Sequence, residues 1–210
     1  MRRAALCFVA LLAVPAALEA QMCVGQAPWS SGKLKAGGSL EFDGGTALGG
    51  HLATGKDGGM FFTGGAGIIT DGGPFFLHGG LGKELTKKLG DKITICPIAN
   101  ADYFFKKHGV SAFDLSGGLS GGYPVAMNAK NVGLILTGSA QLGYSHVSVD
   151  ASFCNISGVD CSDSSIIGIF GFGAGFIFNE RISLVPQLVI PTEGDLALLI
   201  VANVAVGKKH

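Results

Sequence analysis

From residue 34 onward the chain repeats one pattern: a large apolar residue at every second position, with Gly, Ser, Thr or a polar group between. Val132 to Val149 shows it most cleanly. Val132, Leu134, Leu136, Gly138, Ala140, Leu142 and Tyr144 share one parity; Gly133, Ile135, Thr137, Ser139, Gln141, Gly143 and Ser145 share the other. Successive side chains point to opposite faces of a strand but recur about every 3.6 residues on a helix, so this period predicts strands. Val110 to Tyr123 repeats it, with Phe113, Leu115, Leu119 and Tyr123 against Asp114, Ser116, Gly118, Ser120 and Gly122. In Ile166 to Phe178, Phe170, Phe172, Ala174, Phe176 and Phe178 lie opposite Gly171, Gly173 and Gly175. Weaker runs begin at Leu34, Thr46, Met60, Phe75, Ile93, Ile182 and Leu196. No stretch beyond residue 33 carries a helical stripe.

Turn signals divide these runs: Asp43-Gly-Gly45, Gly55 to Gly59, Asp71 to Pro74, Thr86 to Asp91, Lys106 to Gly109, Pro124 to Asn131, Asp150 to Ser164, Asn179-Glu180 and Thr192 to Asp195. Most are near hairpin length, which predicts an antiparallel meander. Nine connections make ten strands. The division at Asp43-Gly44-Gly45 is the least constrained, and eight strands after an N-terminal extension is the alternative.

Composition bears on which face meets solvent. The 210 residues include 35 Gly; 48% are hydrophobic and 14% charged, with 15 basic and 15 acidic residues. A soluble β-barrel that binds an apolar ligand turns its apolar face inward. The Gly, Ser and Thr face would then be the surface, and soluble surfaces are about 25–35% charged. The reversed assignment, apolar outward to lipid and small or polar inward, fits the sparse charge better and predicts an all-β, up-and-down transmembrane barrel. The balanced charge leaves no basic stripe for a nucleic-acid partner.

Arg2 and Arg3 precede a mostly apolar run, Ala4 to Leu18, and Ala16, Ala17 and Ala20 make the following segment rich in small residues. This reads as a signal peptide cleaved near Ala20. The organisation is therefore a signal peptide over residues 1–20, an N-terminal extension over 21–33 and a barrel over 34–210. Export implies an oxidising compartment, where disulfides form. Cys154 and Cys161 flank a turn-rich stretch and are expected to bridge locally. Nothing but the even count joins Cys23 to Cys96.

A signal peptide followed by alternating Gly/aromatic hairpins resembles the small bacterial outer-membrane β-barrel proteins of the OmpA/OmpX-like class, over roughly residues 34 to 207. The resemblance implies the bacterial outer membrane as location, lipid as surroundings and the barrel-assembly machinery as a partner. The chain departs from that class at its end, Val204-Ala-Val-Gly-Lys-Lys-His210, which lacks a terminal aromatic residue. Its aromatic girdle is thin: Tyr103, Tyr123 and Tyr144, with Phe42, Phe75, Phe105 and Phe113 as additions.

A ten-stranded barrel is narrow, and side chains are expected to fill it. The polar residues expected to face the lumen are Lys35, Glu41, His51, His78, Glu84, Asn100, Asp102, Asp114, Gln141, Arg181 and Gln187. They suit either a hydrogen-bonded filling or a hydrophilic path for small solutes. One constellation suggests catalysis instead. His146-Val147-Ser148 is similar to the His-x-Ser spacing of outer-membrane lipid A deacylases, in which a Glu completes the triad. Here Asp150 and Asp160 are the acids at hand, and no Glu follows until Glu180. No phosphate-binding loop, dinucleotide fingerprint or paired metal motif is present, so no cofactor or metal is expected. The leading expectation is a non-enzymatic outer-membrane barrel with a structural or small-solute passage role. The alternatives are a barrel enzyme acting on envelope lipid through His146 and Ser148, and a secreted soluble barrel.

Overall fold

The computed structural model describes residues 22–27, 33–42, 45–56, 58–70, 72–85, 93–107, 109–128, 132–150 and 162–207, and for 22 and 126–128 the backbone alone. Ten strands form: β1 Leu34–Phe42, β2 Thr46–Gly55, β3 Met60–Ile69, β4 Phe75–Lys83, β5 Thr94–Lys107, β6 Val110–Asn128, β7 Val132–Val149, β8 Ser162–Phe178, β9 Ile182–Pro191 and β10 Ala197–Val206. Each pairs with its sequence neighbours, and β1 pairs antiparallel with β10 to close the barrel. Closure leaves no sheet edge to solvent or lipid. The stretch from Leu34 to Thr54 does divide into two strands, with Leu34 opposite Thr54 and Phe42 opposite Thr46. Ten strands, not eight, is the outcome.

Boundaries differ from expectation where the strands are long. Pro124 to Asn131, expected as a turn, is mostly strand: β6 runs to Asn128 and β7 starts at Val132. Proline cannot donate to a ladder and is tolerated at a bulge. The β6–β7 register slips between Pro124 and Ala126, which accommodates it. Lys106 and Lys107 likewise extend β5 beyond an irregularity after Phe104, and Ser162 to Ser164 open β8. Both ends of the barrel sequence, Leu34 and Val206, lie at one end, the terminal end. The long β7–β8 connection lies at the opposite, loop end. The Cys154–Cys161 bridge expected there falls outside the described residues.

The apolar parity faces outward. Among the described residues, 34 large hydrophobic side chains are exposed, against ten buried hydrophobic residues. An apolar surface of that extent marks contact with another apolar medium. Near the loop end, Phe75, Tyr103 and Phe105 form an exposed aromatic cluster, with Phe75 and Tyr103 ring centroids 5.3 and 5.1 Å from that of Phe105.

Glycine serves both faces. Doublets such as Gly37-Gly38, Gly64-Gly65 and Gly79-Gly80 place one glycine inward and one outward. Outward, Gly38 pairs with Gly50 and Gly64 with Gly79, and a Cβ on Gly64 would meet nothing within 4 Å. Inward, the glycines are roofed: His51 lies over Gly37 and Gly65, Phe61 over Gly82, and Gln187 over Gly171. Inner side chains thus lie flat along the wall, because the neighbouring position carries no Cβ.

Candidate functional site

The lumen holds the chain's own N-terminal extension. Met22–Val24 forms a 3-10 turn, and Met22 to Ala27 sits within the barrel rather than outside it. Cys23 forms a disulfide with Cys96 of β5, with Cα atoms 5.9 Å apart. Ser120 of β6 donates to the Cys23 carbonyl, and the Lys35 ammonium of β1 donates to the Ala27 carbonyl. The segment therefore crosses the lumen from the β1 side to β5 and β6. Gly25 adopts φ +67°, a left-handed conformation that favours glycine, and packs directly on Gly175 of β8.

Around this segment the inner wall is buried. Every strand contributes a buried inward residue: Lys35, Ala53, Phe61, Gly82, Cys96, Ser120, Ile135, Ile177, Ser183 and Ala205, from β1 to β10 in order. A layer buried on all ten strands is a seal across the barrel. Toward the loop end the wall opens instead into a cavity of about 330 Å3 lined by Glu41, Thr46, Phe76, Asp102 and Asp114, among others. Among the described residues the barrel is a cup, shut at the terminal end and open at the loop end.

The lumen-facing polar residues fall into separate groups. Lys35 and Glu84 lie in the sealed half, and Glu84 Oε2 accepts from the Gly58 amide at 2.7 Å. His51 Nε2 lies 2.6 Å from Asn203 Oδ1. Asn100 donates to Gln141 Oε1 at 3.0 Å and lies 3.3 Å from Ser116 Oγ. His78 Nδ1 pairs with Asp102 Oδ1 at 2.7 Å on the wall leading to the open cavity. Glu41 and Asp114 line that cavity, and Gln187 covers Gly171. Arg181 is a correction: it is exposed in the turn before β9 and donates to the Ala205 and Gly207 carbonyls at 3.1 and 2.6 Å. Asn179 and Glu180 both take positive φ, a tight turn that ends the wall at Arg181 and leaves its long side chain on the rim.

His146 and Ser148 lie on the outward face near the loop end. His146 Nδ1 bonds to Ser164 Oγ at 2.8 Å, and Ser164 also lies 3.2 Å from the Tyr144 hydroxyl. Asp150 pairs with Lys106. A nucleophile needs a base on its hydroxyl and an acid behind that base. Among the described residues His146 is engaged by Ser164 and Asp150 by Lys106; Asp160 falls outside them. The sequence did not reveal that Met22 to Ala27 enters the lumen, nor its wall contacts Phe61, Cys96 and Ser120. The even cysteine count was the one signal that pointed there.

No protein-family model and no curated protein matches the chain. Solved structures with similar architecture include small bacterial outer-membrane β-barrels, the class the sequence resembles. The N-terminal β-barrel domain of Pseudomonas aeruginosa OprF is 10% identical, with 81% of this chain and 95% of that one covered and a TM-score of 0.41. Ail, the attachment invasion locus protein of Yersinia pestis, is 11% identical over 81% and 93%, with a TM-score of 0.38. LpxR from Salmonella typhimurium is 9% identical over 82% and 100%, with a TM-score of 0.42. At these scores the likenesses carry no argument about activity; the fold rests on the strand pairing above.

Proposed function

We propose that the protein is an integral outer-membrane β-barrel, structural and non-enzymatic, closed to solute passage as folded. The observation that carries this reading is the seal: a buried residue from every strand, packed around Met22 to Ala27. The exposed apolar belt supports lipid as its surroundings. In this reading a signal peptide over residues 1–20 directs export, the barrel-assembly machinery inserts the chain, and the terminal end faces the periplasm. The cup then opens to the outside. The engagement of His146 by Ser164 and of Asp150 by Lys106 favours a structural role over lipid chemistry.

Purified oxidised protein in a planar bilayer tests the closed barrel. It is expected to show no conductance steps; an open pore in that state would overturn the reading. Fractionation tests location: the protein is expected with the membranes until detergent is added, and recovery as a soluble periplasmic protein would favour a soluble barrel. Ser148→Ala is expected to leave envelope lipids unchanged, and altered acylation would restore the enzyme reading.

A further inference from the structure

We propose that Met22 to Ala27 is a removable plug and that the Cys23–Cys96 disulfide is its latch: bonded, the barrel is shut; reduced, the segment leaves and the lumen becomes a hydrophilic passage for small solutes. The inference rests on the membrane-barrel reading above and adds a second state to it.

Three observations converge on it. Among its apolar residues the inner wall carries buried polar side chains, Lys35, Thr94, Ser120, Ser183 and Asn203. Thr137 Oγ1, Ser183 Oγ and Asn203 Nδ2 are buried atoms with no hydrogen-bond partner among the described residues. Buried polar atoms without a protein partner gain one when water reaches them. The filling matches the apolar part of its wall, where Cys23 packs with Ala53 and Phe61 and Ala27 with Ile135 and Ile177, but leaves these polar atoms unmatched.

The second observation is the segment's grip. Apart from the half-buried Gln26, the side chains from Cys23 to Ala27 are small or medium, and Gly25 meets Gly175 as bare backbone. Side chains of the wall hold it by Ser120 donating to the Cys23 carbonyl and Lys35 to the Ala27 carbonyl, and Gln26 forms a single backbone bridge. The disulfide is the covalent hold. The third is direction. Six residues separate Ala27 from Leu34, which opens β1 at the terminal end. The segment therefore sits beside the mouth it would leave by, and no strand pair has to part.

The chemistry is thiol–disulfide exchange with a dithiol protein of the compartment that the terminal end faces. One thiolate of the dithiol attacks a sulfur of the Cys23–Cys96 bond, giving a mixed disulfide and releasing the other cysteine as a thiolate that takes up a proton. The second thiol of the dithiol then displaces the first cysteine, which is protonated in turn. Two electrons pass to the barrel, the dithiol ends as a disulfide, and the reverse exchange relatches the plug. Both cysteines are fully buried, so exchange proceeds only when the terminal end opens far enough to admit the attacking thiolate.

The test compares three preparations in liposomes and planar bilayers: oxidised wild type, wild type reduced with dithiothreitol, and Cys23→Ser/Cys96→Ser. Flotation with the liposomes and a compact, heat-sensitive gel band establish that each is inserted and folded. The oxidised protein is expected to show no conductance steps, and both other preparations discrete steps. In Cys23→Ser, Cys96 is expected to react with a hydrophilic maleimide, read by mass spectrometry of its peptide, and to be unreactive in oxidised wild type. Reduced wild type that is folded and inserted yet conducts no more than the oxidised form overturns the latch, as does Cys96 protected in Cys23→Ser. If the double variant does not fold, the dithiothreitol arm decides. Protein that never floats with liposomes removes the membrane reading, and the plug as a gate with it.

Discussion

At the scale of single residues the wall is built by subtraction. His51 reaches Asn203 because Gly37 and Gly65 leave it room to lie flat. Gly175 leaves room for the backbone of Gly25, and an added methyl there would meet the Gly25 carbonyl directly. Backbone cannot swing aside as a flexible side chain can. Gly175→Ala is therefore expected to destabilise the barrel by about 1–3 kcal/mol, the usual range for overpacking. Gly64→Ala, on the open outer face, is expected to be neutral. The temperature at which the compact gel band disappears checks both, and equal effects would remove the distinction between the two faces.

At the scale of elements, the strands follow from the period of two. Val132 to Val149 is legible because apolar and polar positions separate cleanly over many residues. β6 was legible in its middle but not at its end, where Pro124 reads as a turn until a bulge accommodates it. Strand ends depend on cross-strand partners, which a single sequence does not display. Facing is tested at Leu119, an exposed outward residue of β6. If it meets lipid near the bilayer middle, Leu119→Arg is expected to weaken the inserted barrel by about 2–4 kcal/mol. Denaturant titration from lipid vesicles measures this, and an unchanged midpoint would contradict the assignment.

At the scale of the whole molecule, the disulfide ties residues 73 apart in sequence and fastens the lumen segment to the β5 wall. On a chain-entropy account a loop of that size contributes about 4 kcal/mol by restricting the unfolded chain. Cys96→Ser is accordingly expected to lower the unfolding midpoint in denaturant while the compact band persists at room temperature. An unchanged midpoint would mean that the segment is held by packing alone. The same bond gives the interior its asymmetry: a sealed terminal half under Met22 to Ala27, and an open cavity bounded by Glu41, Asp102 and Asp114. Neither the two halves nor the plug follows from any one strand.

The sequence by itself determined the all-β class, the strand order in the meander and the outward facing of the apolar parity. Alternation and turn residues are local properties, readable within ten or twenty positions. Only the tertiary structure decided that ten strands close, that Cys23 meets Cys96, and that the N-terminal extension turns inward. Those outcomes bring together groups from distant parts of the chain, and their partners are set by closure geometry: a space inside the ring, a wall of glycines to receive backbone, and one cysteine on β5 facing it.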